Sequence, residues 1–322
     1  MKIIYGIGKI RKLRRPVVAL GVFDGLHLGH RNILQAVVKK ACQIKGTSLV
    51  LTFFPHPQGK ERLYSLEHRL RLIAELGVDV CIVVNFSRGF AKISAQDFIA
   101  KILVKKIKVS FVYVGRNFRF GNKVLGDYRL LAVSAKKYKF GLKIFDVVKS
   151  AGVTVSSTAI RRLIKNSEIK KAQELLGRRV SVLGTVTRGN RLGRLLGFST
   201  ANIKAHHEVI PPAGIYAVKI ILKPGGGSIF PESSSRKIGP SPCFSDEKYN
   251  GICYIGTRPT ISAGNKSLRI EAHIFDFHKN IYGLMLEIQF IKLIRQDQKF
   301  ASLKDLSSQI QKDIIFCRKI FV

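Results

Sequence analysis

Acidic residues are scarce in this sequence. Its 322 residues include 20 Asp and Glu against 56 Lys and Arg, which gives a formal net charge of +36. Such an excess attracts anions, and nucleic acid is the first polyanion to consider. The basic residues are nevertheless spread along the whole chain, without an arm, a tail or a stacking motif of aromatic and basic residues. We therefore expect phosphorylated small molecules as partners, with no nucleic acid required.

Cysteines and long apolar runs are also few. The five cysteines are odd in number and never form a C-x-x-C pair, which argues against a disulfide framework or a zinc site and predicts a reducing cytoplasm. No uncharged apolar run reaches the roughly 18 residues of a membrane span, so no membrane partner is expected. The first residues lack the features of a secretory signal, which predicts an unprocessed N-terminus. The sequence gives no indication of the oligomeric state.

The hydrophobic pattern predicts two domains. In residues 1–173, β-branched runs alternate with helical stripes between Pro16 and about Val148. This alternation predicts an α/β domain with a Rossmann-like, doubly wound parallel sheet, whose ligands lie beyond the carboxyl ends of the strands. In residues 174–322, strand-like runs separated by turns predict a small antiparallel β-barrel with a closing helix over residues 302–320.

Two connecting segments are also predicted. A helix runs from Thr158 to about Leu176 and ends at Gly177, because glycine is the usual residue just beyond a helix. A stretch rich in Gly, Ser and Pro lies between Lys223 and Asn250, and its composition predicts a mobile loop joining two strands of the barrel.

The segment G-V-F-D-G-L-H-L-G-H lies where the first strand ends and the first long helix begins. Helix N-terminal amides and two imidazoles together form a cradle for anions, and the intervening glycine lets a ligand approach the backbone. Either histidine alone is more often incidental, but H-x-G-H after this glycine turn indicates a nucleotide-phosphate site. The predicted contacts in this segment are Gly21, Phe23, Asp24, Gly25, His27, Gly29 and His30.

Two later segments are predicted to complete this site. In V-S-S-T-A-I-R, Ser157 and Thr158 begin a helix, where hydroxyls ordinarily act as N-caps. Followed one turn later by Arg161, they also suit a triphosphate. In V-G-R-N-F-R-F-G, Asn117 comes directly after a strand and is the expected ligand contact, whereas a place in the core is the simpler explanation of Phe118 and Phe120.

A second candidate site lies in the barrel half. Thr200 and Asn202 are two residues apart, so on a strand they face the same way and can hold a hard metal ion through oxygen atoms. Glu271 alternates with apolar residues in R-I-E-A-H-I-F, for which an ordinary polar outer face is the alternative. Glycines interleaved with arginines predict a loop that wraps phosphates, although glycine turns abound in small barrels. These glycines are Gly184, Gly189, Gly193 and Gly197.

Taken in order, these segments resemble the prokaryotic bifunctional riboflavin kinase/FAD synthetase family. H-L-G-H, T-F-F-P-H-P, V-G-R-N-F-R-F-G and V-S-S-T-A-I-R resemble its adenylyltransferase module, and G-F-S-T-A-N, P-A-G-I-Y-A-V, Y-I-G-T-R-P-T and I-E-A-H-I-F-D-F resemble its riboflavin kinase module. The resemblance spans the chain from about Pro16 to the final helix. It implies that ATP phosphorylates riboflavin to FMN, and that a second ATP then adenylylates FMN to FAD with release of pyrophosphate.

The resemblance also implies residue roles. His27 and His30 would be catalytic residues that hold the ATP phosphates of adenylyl transfer. Thr200 and Asn202 would bind Mg²⁺ and the ATP of the kinase reaction, and Glu271 would be the base toward the ribityl 5′-hydroxyl. The phosphate of FMN is already an anionic nucleophile, so the adenylyl-transfer site needs no general base.

Three positions depart from the family pattern. Phe54 stands where T-F-x-P-H-P usually carries an acidic residue. Arg116 replaces the usual acidic residue before Asn117, and Ser199 replaces the proline of P-T-A-N. The first two remove negative charge beside a nucleotide site, and the third loosens a backbone turn that proline would fix. None removes a predicted catalytic group.

Two other functions are to be weighed against the bifunctional enzyme. One is a nucleotidyltransferase with a single activity, whose barrel is degenerate and serves only for packing. The other, prompted only by the net charge of +36, is an RNA-binding protein that reuses the fold as a platform. The conversion of riboflavin, of FMN alone or of neither flavin distinguishes the three.

Overall fold

The computed structural model describes residues 1–57, 61–188, 198–206, 208–223, 247–256 and 269–322. Contacts between residues divide them into two compact units. The N-terminal unit contains Met1–Arg62 and Leu66–Ser157, and the second contains Leu63–Ser65 together with the described residues from Thr158 onward. The expected domain boundary after residue 173 stays a prediction.

The N-terminal unit is built on six strands that are all parallel, which confirms the predicted α/β sheet. Their order across the sheet is β1-β4-β3-β2-β5-β6. The strands are β1 (Lys2–Tyr5), β2 (Pro16–Leu20), β3 (Thr47–Phe54), β4 (Val80–Asn85), β5 (Phe111–Gly115) and β6 (Gly141–Phe145). The edge strand β1 was not expected from the sequence, because a run of four residues carries too little periodicity to identify.

Helices connect these strands. They are α1 (Leu28–Gln43), α2 (Leu66–Glu75), α3 (Arg88–Ala91), α4 (Ala95–Asp97), which continues as the π-helical segment Phe98–Ile107, and α5 (Tyr128–Tyr138). The side chain of Ser94 accepts a hydrogen bond from the backbone of Asp97 and so caps α4. A hairpin of β7 (Lys149–Ser150) and β8 (Val153–Thr154) follows the sheet.

The direction in which strands are added to the sheet reverses at β2. From β2 the chain adds β3 and then β4 on one side, whereas β5 and β6 lie on the other. Connections that diverge in this way leave a crevice beyond the carboxyl ends of β2 and β5, where ligands of open α/β sheets bind. The H-L-G-H segment follows β2, and V-G-R-N spans the end of β5, so both segments lie at the carboxyl ends of these neighbouring strands.

The second unit contains a closed antiparallel barrel in the order β10-β13-β12-β11-β14-β9, which confirms the predicted architecture. Its strands are β9 (Ser181–Thr187), β10 (Ala201–Ala205), β11 (Gly214–Lys223), β12 (Glu247–Gly256), β13 (Arg269–Ile274) and β14 (Met285–Gln296). The predicted loop was too long at its far end, because residues 247–250 pair with β11. The predicted helix before the barrel is two helices, α6 (Ser157–Lys165) and α7 (Ile169–Leu176), with Gly177 left-handed at the end as expected.

The closing helix α8 (Leu303–Lys319) is docked by both apolar and charged contacts. Cys317 and Ile314 join a cluster with residues of β11 and β12. The buried Asp313 receives hydrogen bonds from Nε and Nη2 of Arg295 on β14, at 3.0 and 2.8 Å. None of the described helices is both long enough and apolar enough to cross a membrane.

Candidate active sites

A strained turn follows β2 and carries the first half of the H-L-G-H segment. Phe23, Gly25 and Leu26 all have positive φ angles, of 55°, 81° and 40°. Phe23 and Leu26 are almost fully buried, and this packing holds them in a conformation that side chains other than glycine rarely adopt. A side chain at position 21 would approach the Phe23 ring at 3.0 Å, so Gly21 allows that ring to fold back over the turn. Gly21 and Gly25 therefore allow the turn to adopt this conformation.

His27 and His30 come together at the start of helix α1. His27 is the N-cap, and its Nδ1 atom accepts a hydrogen bond from the backbone nitrogen of His30 at 3.4 Å. The two imidazole rings are stacked, with centroids 3.7 Å apart, and the Phe23 ring meets His30 edge-on. Because Nδ1 of His27 accepts a hydrogen bond, a neutral His27 carries its proton on Nε2, which is then the donor of the ring.

This arrangement is suited to an anion. The first turn of a helix has backbone N–H groups without partners inside the helix, and the helix dipole adds partial positive charge there. Gly29 lies in that first turn and presents no side chain between these groups and a ligand. Imidazole donors beside helix amides provide several fixed hydrogen-bond donors at one place. The paired histidines were predicted from the sequence, but their stacking was not.

Ser157 is tied to the same turn. Its Oγ atom donates a hydrogen bond to the backbone carbonyl of Asp24 at 2.8 Å, which joins the V-S-S-T and G-V-F-D-G segments within the N-terminal unit. Thr158 and Arg161 belong to the second unit, where Nη2 of Arg161 donates to Oγ1 of Thr158 at 3.0 Å. The place of Thr158 and Arg161 in a nucleotide clamp stays a prediction.

Asn117 is exposed just beyond β5, the neighbour of β2 in the sheet. The adjacent Arg116 forms a salt bridge from Nε to Oδ1 of Asp146 at 2.5 Å and lies over the Tyr128 ring. The hydrogen bond to Asp146 is the main cause that raises the pKa of Arg116. The charge of this unusual arginine is thus matched locally by Asp146, a partner that the sequence did not reveal.

Two residues behind the turn were missed by sequence reasoning. Thr52 belongs to T-F-F-P-H-P, and its Oγ1 atom donates to the backbone carbonyl of Val22 at 2.9 Å. Arg69 donates to the same carbonyl from Nη1 at 2.5 Å. Arg69 lies on a helix with several polar neighbours, so nothing in the pattern indicated that its side chain turns inward. The structure thus adds a layer of hydrogen bonds beneath the predicted site.

The barrel brings together Asn202 and Glu271, two of the residues predicted for the second site. Asn202 on β10 is paired with Glu271 on β13 in the antiparallel register, and paired residues place their side chains on the same face of a sheet. Thr200 immediately precedes β10 and is half-buried. Glu271 is buried, so the alternative of an ordinary polar outer face is wrong for this residue. Burial raises the pKa of the Cys253 thiol, and the neighbouring Glu271 charge raises it further.

His273 contacts the residues at the start of the second site. It follows Glu271 by two residues, and its Nδ1 atom lies 2.8 Å from the backbone carbonyl oxygen of Ser199. Since a carbonyl only accepts hydrogen bonds, Nδ1 is the donor. The His273 ring also meets Phe198 edge-on, with centroids 6.1 Å apart. These contacts hold the residues directly before Thr200, at the position where serine stands in place of proline.

Of the four glycines predicted to contact a nucleotide in the barrel half, one lies in the described part of the chain. Gly184 lies within β9, where an added Cβ atom would come within 2.3 Å of Ile203 and 2.7 Å of the Lys204 carbonyl on β10. Close packing of two strands therefore accounts for Gly184, and its contact with a nucleotide stays a prediction. Gly189, Gly193 and Gly197 lie outside the described residues.

The oxygen atoms around Asn202 fit a hard cation. A hydroxyl, an amide oxygen and a buried carboxylate come from Thr200, Asn202 and Glu271, and oxygen donors are the ligands that Mg²⁺ prefers. In the part of the chain that the structure describes, no group of three or more His, Cys, Asp and Glu side chains is arranged to hold a metal ion. A site with a single carboxylate is consistent with an ion shared with a phosphate substrate.

Comparisons with known proteins give a family for each half of the chain. Residues 9–159 match the family model described as FAD synthetase, and residues 176–321 match that of riboflavin kinase. The chain is 36% identical to the bifunctional riboflavin kinase/FMN adenylyltransferase of Haemophilus influenzae over 329 residues, which cover 100% of this chain and 99% of that protein. The protein of the same description from Escherichia coli K12 is 34% identical, with 100% and 98% covered.

The solved structures that are similar to this chain include one that matches over nearly its full length. It is a crystal structure described as a macrolide-efflux protein from Streptococcus pneumoniae, with a TM-score of 0.80, 26% sequence identity and 99% of both chains covered. This likeness shows that the complete fold recurs in that protein. The sequence relatives at 34% and 36% identity carry the enzyme description instead.

Proposed function

The chain belongs to the bifunctional riboflavin kinase/FMN adenylyltransferase family, and we propose that its two activities are divided between the two sites just described. It is an enzyme of flavin cofactor biosynthesis, which phosphorylates riboflavin to FMN with ATP and adenylylates FMN to FAD with release of pyrophosphate. The observation that carries the division is the stacked His27–His30 pair at the start of α1, in the crevice beyond β2 and β5.

Adenylyl transfer is assigned to the N-terminal site. A phosphate oxygen of FMN attacks the α-phosphorus of ATP, and pyrophosphate leaves with the electron pair of the broken P–O bond. No proton has to be removed from the nucleophile, so the site must align two repelling anions and stabilise the leaving charge. We assign this work to His27, His30 and the first amides of α1, with Asn117 as a further polar contact. Thr158 and Arg161 are assigned to the clamp by the family resemblance alone.

Riboflavin phosphorylation is assigned to the barrel site. The ribityl 5′-hydroxyl is a neutral nucleophile, and its proton must pass to a base as the bond to the γ-phosphorus of ATP forms. Glu271 is the buried carboxylate opposite Asn202 and is assigned to orient the hydroxyl and accept this proton. In a loose transition state the proton leaves late, so orientation is the larger part of its role.

Mg²⁺ is proposed as the cofactor of the kinase reaction. Thr200 and Asn202 would hold it, and when bound it supplies positive charge to the transferred phosphate. Both activities use ATP, which supports nucleotide substrates for both sites. The proposal of Mg²⁺ is supported by the oxygen donors of Thr200, Asn202 and Glu271. A cytoplasmic location and independence from nucleic acid and membranes stay predictions.

The division is tested by separating the two reactions. Purified protein is incubated with riboflavin, ATP and magnesium, and in parallel with FMN and ATP, and the flavins are resolved by chromatography. We expect the double variant His27→Ala/His30→Ala to lose FAD formation by a factor of about 10² to 10³ while still forming FMN. Glu271→Ala is expected to lose FMN formation while still converting supplied FMN to FAD.

Each variant is the control for the other, because both reactions are read on one chain. Circular dichroism and thermal unfolding verify that the variants are folded. The loss of both activities in a folded single-site variant would contradict the proposed division. Conversion of FMN but not riboflavin by the unchanged protein would favour the hypothesis of a single-activity nucleotidyltransferase with a degenerate barrel.

A further inference from the structure

Arg69 is among the most deeply buried side chains of the molecule. It lies on helix α2 in the N-terminal unit, and only 1% of its surface is exposed. Arginine is almost never fully buried unless it is paired, because removing a charge from water has a large free-energy cost. A residue in this position therefore needs an explanation that goes beyond the packing of the core.

The contacts of Arg69 converge on the turn that leads to His27. Nη1 donates to the Val22 carbonyl at 2.5 Å and lies 3.4 Å from Oγ1 of Thr52, which donates to the same carbonyl. Val22 directly precedes Phe23, the first left-handed residue of the turn. Two donors from two different elements thus fix one backbone oxygen at the point where the chain changes direction.

The other edge of the Arg69 guanidinium lacks hydrogen bonds to the described residues. Nε and Nη2 of Arg69 are buried and have no hydrogen-bond partner among the described residues. Burial lowers the pKa of Arg69 to about 10, while the nearby Asp24 carboxylate opposes this shift, so the group stays protonated at neutral pH. An incompletely paired buried charge is less favourable for stability than an apolar side chain of similar volume. Stability alone is thus a poor reason for arginine here.

We propose that Arg69 is a positioning residue for adenylyl transfer. This inference rests on the proposed function, because it assigns Arg69 to the site formed by His27 and His30. By holding the Val22 carbonyl inward, Arg69 fixes the left-handed turn that presents His27 as the N-cap of α1. Its charge also lies behind the turn in a medium of low dielectric constant, where it adds to the attraction of a polyphosphate.

The test replaces Arg69 and follows both reactions. Arg69→Met keeps much of the volume but removes the charge and the donors, and we expect kcat/KM for ATP in FAD formation to fall by about 10- to 100-fold, the loss of a charged hydrogen bond. The change should appear mainly as a higher KM for ATP, and as a higher KM for pyrophosphate in the reverse reaction. Arg69→Lys keeps a charged donor and should recover most of the loss. Riboflavin phosphorylation should stay within about twofold of the unchanged protein.

Arg71→Met is the matched control. Arg71 lies on the same helix and pairs with Glu67 one turn away, at 3.5 Å. Its removal should leave the KM for ATP in FAD formation unchanged. Thr52→Val removes only the second donor to the Val22 carbonyl, and we expect a smaller rise in KM, of about two- to tenfold. This variant carries the test if Arg69→Met does not fold.

Three results would overturn the proposal. They are a folded Arg69→Met protein with unchanged KM values for ATP and pyrophosphate, a folded Arg69→Lys protein as impaired as Arg69→Met, and a Thr52→Val protein with an unchanged KM for ATP. Retention of FAD formation by His27→Ala/His30→Ala would contradict the proposed function itself. Failure of the inference alone is therefore distinguishable, because the histidine variant would then still lose FAD formation.

Discussion

The two sites differ most in the polar groups that they bury. The N-terminal site gathers donors around one buried carboxylate, Asp24. The donors are the stacked imidazoles of His27 and His30, the first amides of α1 and, behind the turn, the guanidinium of Arg69. The barrel site gathers oxygen atoms, with the buried carboxylate of Glu271 facing Asn202. Both sites are proposed to handle ATP, so the nucleotide alone does not account for the difference.

The acceptor substrates account for this difference between the polar groups of the two sites. FMN arrives as a phosphate anion, and a carboxylate base beside it would add repulsion without performing any chemistry. Riboflavin arrives with a neutral hydroxyl, which needs an acceptor for its proton. The comparison teaches that the charge of the nucleophile, more than the nucleotide, determines whether a phosphate-transfer site contains a base. The predictions below are chosen to break or sharpen this contrast.

The largest effect is expected for His27→Asn. Asparagine is a good N-cap, so helix α1 should remain intact, but the imidazole and its stacking on His30 are lost. We expect FAD formation from FMN to fall by about 10²-fold, the effect of removing one donor from a site of this kind. Steady-state kinetics with FMN and ATP measure the loss, and unchanged thermal unfolding separates it from a loss of structure.

Riboflavin phosphorylation by the same His27→Asn preparation is the internal control and should be unaffected. An activity near that of the unchanged protein in FAD formation would show that capping, which asparagine preserves, is the main role of His27. The donor-rich character assigned to the N-terminal site would then rest on His30, the helix amides and Arg69.

A smaller effect is expected for His273→Phe in the barrel. Phenylalanine keeps the ring against Phe198 but removes the Nδ1 donor to the Ser199 carbonyl. We expect weaker binding of ADP with magnesium and a rise of about two- to tenfold in the KM for ATP during riboflavin phosphorylation, the effect of one neutral hydrogen bond. Calorimetry measures the binding, and kinetics measure the KM.

His273→Asn tests the cause of that effect. Its side-chain amide is a donor, so it should recover part of the binding that His273→Phe loses. FAD formation from FMN should not change in either variant. Equal losses in the two variants would mean that the ring packing matters and the hydrogen bond does not, and that the missing proline at Ser199 is not compensated by His273.

How far the sequence anticipated this structure depends on the range of the interactions involved. The parallel sheet and the barrel follow from local periodicity and short motifs, and both were predicted. The stacking of His27 on His30 depends on a turn with three positive φ angles, which no propensity encodes. The inward turn of Arg69, the Asp146 partner of Arg116 and the register that places Glu271 opposite Asn202 are all set by tertiary contacts.

The smallest effect is expected at Arg116, where the N-terminal site departs from the family pattern. Its salt bridge with Asp146 is exposed, and exposed pairs contribute little. We expect Arg116→Ala to change kcat/KM for FMN by no more than about twofold. Asp146→Ala leaves the arginine charge near Asn117 without this partner and should lower the KM for FMN slightly, because the substrate is an anion. A loss of more than tenfold in either variant, measured as FAD formation, would mean that the pair positions Asn117 and that carboxylates do contribute to the donor-rich site.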